Sequence, residues 1–330
     1  MKNKILVVAL FSLAFLNNCS KPENTMVTEK INISTVKVNR VEDQVDRSRM
    51  EGYMAVLTGK KPVINDILIR ERGSVEGRNL TRTFLINTLE ALGYKVEQNN
   101  YRKNGTNIVA RLMSESPSDE YILIGAHLDS VNNAGADDDG SGSTAVLEAA
   151  TVLPKLNDRK VNIIFSWFDE EELGMIGSKS LASEYKKQGL KITSAHTIDM
   201  MGWDKDGDNA VELARPDGIL WDYYNMVNEK HNLKIPLERT STGSSDHVPF
   251  HQNGFPSLNL SEEWVNNDTT PYYHQKKDIY ETINFDYLAS GTKLLVAVVG
   301  DLSMKVPPPA NIKLVPHENF PGREREFHKF

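Results

Sequence analysis

Two acidic segments of this chain combine the residue types from which metal-dependent catalytic sites are built. The first contains GAHLD at 125–129 and GADDD at 135–139, and the second is DEEELG at 169–174. Each segment follows an apolar run that is typical of a buried strand. Carboxylates that collect at strand ends repel one another and lose water on burial, and a bound cation would remove that cost. Because open α/β sheets bind ligands at the carboxyl ends of their strands, the two segments predict a metal hydrolase.

Five candidate metal ligands lie at a predicted strand end, just beyond one, or in a loop. They are His127, Asp138, Glu172, Asp199 and His274. Imidazole nitrogens together with carboxylate oxygens are a common donor set for zinc. Two zinc ions that hold one nucleophile lie roughly 3.5–4 Å apart, and such a pair needs a carboxylate that bridges both ions. Asp138, the middle residue of its aspartate run, is a natural candidate for that bridge.

The elements that must position these residues alternate between strands and helices, which indicates an α/β sheet with helices on both faces. Ser141 or Ser143 is predicted to cap the helix that follows the aspartate run. The Asn104-Gly105 turn predicts two strands within 94–113. Further strands are predicted at 121–125, 161–168, 194–201 and 255–260, and helices at 79–92, 178–187, 219–230 and 286–304.

The motifs themselves resemble those of the secreted di-zinc aminopeptidases, a zinc peptidase family that also includes glutaminyl cyclases and carboxypeptidase-like members. The resemblance runs from about residue 72 to about residue 304. It implies a mixed, mostly parallel sheet of the zinc aminopeptidase type, which has a phosphorylase/hydrolase-like fold. Six motifs in order carry it: GAHLDSV at 125–131, GADDDGSG at 135–142, EEELG at 170–174, IDMMG at 198–202, SSDH at 244–247 and YYHQKKDIYETIN at 272–284.

The resemblance also implies a role for each candidate ligand. One zinc ion would be held by His127 and Asp199, the other by Glu172 and His274, and Asp138 would bridge the two ions. Asp129, two residues beyond His127, would orient its imidazole, as metal-bound histidines usually require. The resemblance suggests that Asp278 orients the imidazole of His274 in the same way.

Glu171, the neighbour of the ligand Glu172, is implied as the general base, which takes a proton from water and returns it to the leaving amine. Asp246 and His247 of the SSDH motif are candidates for the substrate pocket. Close relatives often carry a tyrosine at the position of Thr242, where it assists the oxyanion. In this chain Tyr272 or Tyr273 could take that role, or the two zinc ions could act alone.

The first nineteen residues predict an export signal. Lys2 and Lys4 precede an apolar run at 5–16 that is too short for a transmembrane helix. Cys19, the sole cysteine, cannot form an internal disulfide, and it predicts a lipid-anchored mature chain, with a plain cleaved signal as the alternative. The expected organisation is a signal peptide with its lipidation cysteine at 1–19, a tether at 20–45, one catalytic domain at 46–305 and an irregular tail at 306–330.

Composition and charge limit the partners. The formal net charge of −7 argues against nucleic-acid binding. Peptide substrates are expected, with membrane contact only through the N-terminal lipid, and the sequence leaves the oligomeric state open. The expected activity is that of an exported metallo-aminopeptidase with two zinc ions per chain. The alternatives are a single-zinc glutaminyl-peptide cyclotransferase and a non-catalytic binding protein on the same fold.

A third acidic motif follows the ligand candidate Asp199. Asp204, Asp206 and Asp208 have the spacing with which a calcium-binding loop begins. A glycine at position 207 does not match that loop, and no closing glutamate follows at the required distance. The motif therefore predicts a surface turn rather than a calcium site.

Overall fold

The central strands β3 (Glu120–His127) and β4 (Asn162–Phe168) have continuous apolar sequences because both faces of the sheet are covered. Successive side chains on a strand point to opposite faces. In β4, Ile163, Phe165 and Trp167 pack into one apolar layer, and Ile164 and Phe168 pack into the other. The chain is seen here in a computed structural model that describes residues 40–306.

Besides β3 and β4, the strands are β1 (Val96–Arg102), β2 (Gly105–Leu112), β5 (Lys191–Ile198), β6 (Val211–Ala214), β7 (Leu237–Thr240) and β8 (Ser257–Ser261). The eight strands form one sheet in the order β1-β2-β4-β3-β5-β8-β6-β7. Four of its pairings are parallel, among them β4 with β3, β3 with β5, and β5 with β8. The predicted mixed, mostly parallel sheet is thus confirmed.

Helices cover both faces of the sheet. The larger apolar layer includes residues of α1 (Arg47–Leu57), α2 (Val75–Ala91), α3 (Gly140–Val152), α5 (Gly218–Lys230) and α7 (Phe285–Ser303). The smaller layer includes Leu181 and Tyr185 of α4 (Ile176–Lys187) and Phe250 of α6 (His247–Gln252). Helix contacts on both faces keep the sheet rigid, so the loops at its edge start from fixed points.

Among the described α-helices and strands, α1, α6, β6 and β7 have no counterpart among the predictions. β6 and β7 are four residues each, too short for a period of two to stand out. The predicted serine cap of α3 is wrong. That helix begins at Gly140, and its cap is Asp139, whose side chain accepts a hydrogen bond from the Gly142 N–H at 2.8 Å.

The N-terminal boundary also differs from the prediction. A 3-10 turn at Val41–Gln44 buries its first two residues, so the last part of the expected tether packs on the folded chain. The predicted signal peptide, Cys19 and the remaining tether lie outside the described residues, as does the tail beyond residue 306. Within residues 40–306 no helix has the length and apolarity needed to cross a membrane.

Candidate metal centre

The candidate ligands meet at one edge of the sheet because three neighbouring parallel strands end there. His127 is the last residue of β3, Asp199 follows the last residue of β5, and Glu172 lies four residues beyond the end of β4. Asp138 comes from the loop that leads into α3, and His274 comes from the loop between β8 and α7. All five residues singled out from sequence are thus brought together.

Two groups of donor atoms form around the two imidazoles. His127 Nε2 lies 3.1 Å from Asp138 Oδ1 and 3.5 Å from Asp199 Oδ1. His274 Nε2 lies 3.2 Å from Asp138 Oδ2 and 3.1 Å from Glu172 Oε2. Each group therefore uses a different oxygen of Asp138, which is the arrangement that a bridging carboxylate requires.

These separations suit zinc. Four ligands at about 2.0–2.1 Å from a tetrahedral ion are roughly 3.3 Å from one another, close to the observed nitrogen–oxygen distances. In addition, Glu172 Oε1 is buried and has no hydrogen-bond partner among the described residues. Such an oxygen is costly to bury unless it binds something. The donor set therefore fits a pair of zinc ions.

The histidines and carboxylates of this site shift one another's pKa values. Burial alone would lower the pKa of His274, but hydrogen bonds to Asp138 and Glu172 outweigh burial and raise that pKa to about 10. Burial would raise the pKa of Asp138, but hydrogen bonds to His127 and His274 lower it. Burial, followed by the charge of Asp138, raises the pKa of Glu172 to about 7. Zinc binding would displace the imidazole protons and take over the role of counter-charge.

Asp139 lies next to the bridging candidate but is occupied by backbone contacts. Its Oδ2 accepts the His127 N–H at 3.1 Å, and its Oδ1 accepts the N–H groups of Gly142 and Met200 at 2.8 and 3.3 Å. It therefore joins the ends of β3 and β5 to the start of α3. A carboxylate oxygen of Asp139 also lies within 4.8 Å of ligand atoms of His127 and Asp199, whereas Asp138 contacts both histidines.

Asp129 supports both the first histidine and the acidic loop. Its Oδ1 lies 3.5 Å from His127 Nδ1, as expected for a residue that orients this ring. A closer contact, 3.1 Å, joins the same nitrogen to the Asp129 carbonyl. The two carboxylate oxygens accept the backbone N–H groups of Glu171 and Glu172 at 3.1 and 3.2 Å. One side chain thus fixes the backbone of the expected base and of the adjacent ligand relative to His127.

Asp278 has a different partner from the predicted one. Its oxygens accept the backbone N–H groups of Asp137 and Asp138 at 2.8 and 3.1 Å, so it positions the bridging candidate rather than His274. The ring of His274 instead stacks on Tyr273, with centroids 3.8 Å apart. The backbone of His274 is left-handed (φ 57°), a conformation that sequence spacing does not show.

Glu171 is half-buried beside the donor groups. Burial raises the pKa of its carboxyl well above the usual range; the His127 charge opposes this rise, and Asp246 and Asp199 add to it. Asp246 is buried, and its own pKa is raised by burial to about 7, with His127 acting in the opposite direction. The effect of Asp246 on this pKa indicates that it lies within electrostatic range of the expected base.

His247 does not border an open pocket. It is fully buried, its Nε2 lies 3.1 Å from the Thr242 carbonyl oxygen, and burial lowers its pKa to about 3. A neutral imidazole therefore supports the loop that carries Thr242, which corrects the assignment of His247 to the substrate pocket. Of the two tyrosines, Tyr273 is the one stacked on a candidate ligand, whereas Tyr272 packs edge-on against Trp203 at 5.8 Å.

Three buried arginines that sequence analysis missed hold the acidic loops. Arg72 donates to the carbonyls of Leu128, Asp129, Ala134 and Gly135, which span the loop after His127. Arg78 and Arg82 bind Asp169 at 3.1 and 2.5 Å, and Arg78 also contacts Glu170 at 3.1 Å. Asp169 and Glu170 are therefore buried ion-pair partners rather than solvated residues. The sequence feature that could have indicated them is the presence of three arginines within eleven residues (72–82) of a chain whose other motifs are acidic.

Comparison with known proteins identifies the class to which this chain belongs. The model of peptidase family M28 matches residues 107–299, more than half of the chain, so the protein belongs to that family. The expected family is thereby confirmed. A probable leucine aminopeptidase of Trichophyton verrucosum is 30% identical over 234 residues, which cover 64% of this chain and 60% of that protein. The chain thus spans about three fifths of that relative's length.

Solved structures share the fold. Legionella pneumophila LapA aminopeptidase has a TM-score of 0.72 at 22% identity, covering 82% of this chain and 75% of that one. BSAP, a zinc aminopeptidase from Bacillus subtilis, has a TM-score of 0.55 at 29% identity, covering 61% and 50%. Porphyromonas gingivalis glutaminyl cyclase has a TM-score of 0.65 at 19% identity, covering 79% and 99%.

Proposed function

We propose that this protein is an exported metallo-aminopeptidase that uses two zinc ions to remove N-terminal residues from peptides. The observation that carries the proposal is the placement of Asp138, whose two oxygens each face a different histidine at 3.1 and 3.2 Å. Membership of peptidase family M28 and the names of the relatives support the peptidase assignment. The relative from Bacillus subtilis, described as a zinc aminopeptidase, supports the metal.

His127, Asp138 and Asp199 would hold one zinc ion, and Asp138, Glu172 and His274 would hold the other. When bound, zinc supplies Lewis acidity and lowers the pKa of water toward 7. Three ligand carboxylates offset most of the charge of the two ions. Asp129, Asp139 and Asp278 keep the ligand-bearing backbone in place through the hydrogen bonds described above.

Glu171 would act as the general base. It takes a proton from the attacking water on its carboxylate and returns that proton to the leaving amine as the C–N bond breaks. Its half-buried position beside the donor groups, with its backbone held by Asp129, supports this assignment. A buried carboxylate that exchanges protons with the reacting atoms is the arrangement found in general acid–base catalysis.

The test is a panel of aminoacyl-p-nitroanilides, beginning with leucine, measured with and without a chelator and beside Glu171→Ala. We expect this variant to keep its zinc but to lose roughly 10²–10⁴-fold in kcat/KM, the usual contribution of general acid–base catalysis. Glu90→Ala, an exposed glutamate at the end of α2, is the matched control and should retain activity. Retained activity in Glu171→Ala would remove Glu171 from this role, and chelator-resistant activity would remove the metal.

A glutaminyl cyclase activity is the second candidate, favoured by the structural match that covers 99% of the Porphyromonas gingivalis enzyme. Elemental analysis separates the two activities. The cyclase alternative uses one zinc ion, whereas the two groups of donor atoms around His127 and His274, which share Asp138, would hold two. Two zinc ions per chain, with release of p-nitroaniline from leucyl but no cyclisation of glutaminyl substrates, would exclude the cyclase. A metal-free, inactive protein would instead favour a non-catalytic binding module.

The N-terminal proposal concerns residues outside those described. We propose that Cys19 carries a lipid that anchors the exported chain at a membrane, with cleavage of the signal before it. Lys2, Lys4 and the apolar run at 5–16 support export. Incorporation of labelled palmitate into the wild-type chain but not into Cys19→Ala would support the anchor, and equal labelling of both would exclude it.

A further inference from the structure

Two loops beside the candidate metal centre gather a second group of acidic side chains. The first loop carries Asp204, Asp206 and Asp208, five to nine residues beyond the ligand candidate Asp199. The second lies beyond β8, where Glu263 and Asp268 face each other across an antiparallel bridge. None of these five residues belongs to the zinc site proposed above.

Their carboxylates converge on a common region. Oxygen atoms of Asp204, Asp206 and Asp268 lie within 4.8 Å of one another, and those of Asp206, Asp208 and Glu263 form a second such group. Asp206 belongs to both groups, so the two groups adjoin at its side chain. Within residues 40–306 none of the five forms an ion pair with a lysine or arginine side chain.

Asp268 provides an independent indication of a ligand. This residue is only 8% exposed, and its Oδ2 accepts the backbone N–H groups of Lys205 and Asp206 at 2.9 and 3.1 Å. Those bonds hold the carboxylate against the first loop. Its other oxygen, Oδ1, is buried and has no hydrogen-bond partner among the described residues. An unpaired carboxylate oxygen in a group of like charges is costly to bury unless a cation binds it.

The donor chemistry identifies the cation. All five side chains offer oxygen and none offers nitrogen or sulfur, which disfavours zinc and favours a hard ion. Calcium accepts six to eight oxygens in flexible geometry, whereas magnesium demands near-ideal octahedral geometry and keeps several waters. A site contributed by two surface loops, with three of its carboxylates in or near solvent, suits the less demanding ion. We propose that Asp204, Asp206, Asp208, Glu263 and Asp268 form a calcium site that is separate from the zinc pair.

The sequence alone indicates only half of this site. Asp204, Asp206 and Asp208 match the first three positions of a calcium loop, but Gly207 falls too early and no glutamate closes the loop. The fold supplies the missing acids from a segment about sixty residues away. The structure has the expected surface turn, in which backbone N–H groups donate to Asp204, Asp206 and Asp208, and the proposal makes that turn one half of a two-loop site.

Calcium at this position would fasten two loops that also serve the candidate metal centre. Asp199 precedes the first loop, and His274 follows the second loop by six residues. Trp203 and Tyr272 already pack edge-on across the two segments, with ring centroids 5.8 Å apart. A cation between the loops would add a charged link beside that aromatic contact.

The experiment is a calcium titration of the full, zinc-loaded chain in chelator-free buffer, followed by calorimetry and by the thermal midpoint. We expect about one calcium ion per chain, with affinity near the ~10⁻⁴–10⁻³ M typical of extracellular modules. Binding to the native state alone raises the thermal midpoint with calcium concentration. Elemental analysis for zinc on the same samples separates this outcome from any failure of the zinc site.

Two variants locate the site. Asp206→Asn removes one charge from an exposed residue that both groups share, and we expect calcium affinity to fall at least about tenfold. Asp268→Asn keeps an oxygen acceptor for the Lys205 and Asp206 N–H groups and should weaken binding similarly. Asp158→Asn, an exposed aspartate elsewhere whose left-handed backbone (φ 65°) asparagine accepts, is the control. No calcium binding at about 5 mM, or wild-type affinity in Asp206→Asn, would overturn the proposal.

Discussion

At the scale of single residues, carboxylates that look equivalent in the sequence have different partners in the structure. Asp137, Asp138 and Asp139 are adjacent, yet only Asp138 presents both oxygens to histidines. Asp139 is occupied by three backbone N–H groups, and Asp137 Oδ1 accepts the Gly202 N–H at 2.8 Å. The middle residue of the run could be chosen from the sequence. The hydrogen-bond partners of Asp137 and Asp139 could not be predicted, because they are backbone atoms of β3, β5 and their loops.

We expect Tyr273 to assist the oxyanion, in place of the tyrosine that close relatives often carry at the position of Thr242. The Tyr273 ring stacks on His274, and burial together with the charges of Asp138 and Asp199 raises the pKa of its hydroxyl. Tyr273→Phe keeps the stacking and removes only the donor. We predict a fall in kcat of roughly 10–10²-fold with little change in KM, measured on leucine p-nitroanilide.

Tyr272→Phe is the matched control, since its ring packs on Trp203 rather than on a candidate ligand. It should retain nearly wild-type kcat. Equal losses in the two variants, or none in either, would mean that the zinc ions stabilise the oxyanion without a tyrosine.

At the scale of elements, strands with continuous apolar runs were predictable and short or edge elements were not. The apolar runs predicted both β3 and β4 and the end of β4 at Phe168, whereas β3 was expected to end at residue 125 and ends at His127. β5 was expected to reach residue 201 but ends at Ile198, because Met200 adopts a left-handed backbone (φ 61°). Its last three expected residues are therefore in a loop, although the Asp199 N–H still donates to the Leu260 carbonyl at 3.1 Å.

The loop between β3 and α3 depends on Arg72, whose guanidinium donates to four carbonyls. Lysine has one ammonium and cannot reach the same spread of acceptors. We predict that Arg72→Lys lowers the free energy of unfolding by about 2–4 kcal/mol, since several buried carbonyls lose their donors. Zinc affinity should fall as well, because the loop leads to Asp138. Urea unfolding and a competitive zinc titration measure the two effects.

Arg70→Lys, an exposed arginine two residues earlier, is the control. It should match the wild type in both measurements. A normal zinc affinity in Arg72→Lys would show that the loop keeps its conformation without the guanidinium.

At the scale of the whole molecule, a buried charge cluster links the first described turn to two late helices. His231, just after α5, contacts Glu42 at 2.8 Å and Asp301 of α7 at 3.2 Å. Lys230 also binds Asp301, at 2.8 Å, and Arg40 donates to the His231 carbonyl. The sequence predicted the helices but not this cluster, because its members are up to 261 positions apart and none shows a local pattern.

This cluster should make stability depend on pH. Burial alone would lower the pKa of His231, but hydrogen bonds to Asp301 and Glu42 raise it to about 9, above its ordinary 6.5. A raised pKa in the folded state contributes stability that is fully present below about pH 6.5 and is lost as the pH rises through about 9. The shift allows a loss of at most about 3 kcal/mol.

Urea unfolding of the wild type at a series of pH values between these limits checks the sign and the window. His231→Gln should unfold more easily at low pH and show a flatter dependence across the window. If the free energy of unfolding of the variant depends on pH as steeply as that of the wild type, groups other than His231 must cause that dependence.

The segment from Asp199 to Asp208 joins a ligand candidate of the zinc pair to three of the acids assigned to calcium. Two binding equilibria that share one segment are thermodynamically coupled whenever either ion restricts it. If calcium tightens zinc binding by some factor, zinc must tighten calcium binding by the same factor. Zinc affinities measured in calcium-free buffer would then understate the hold on zinc in a calcium-rich exterior, where an exported chain would work.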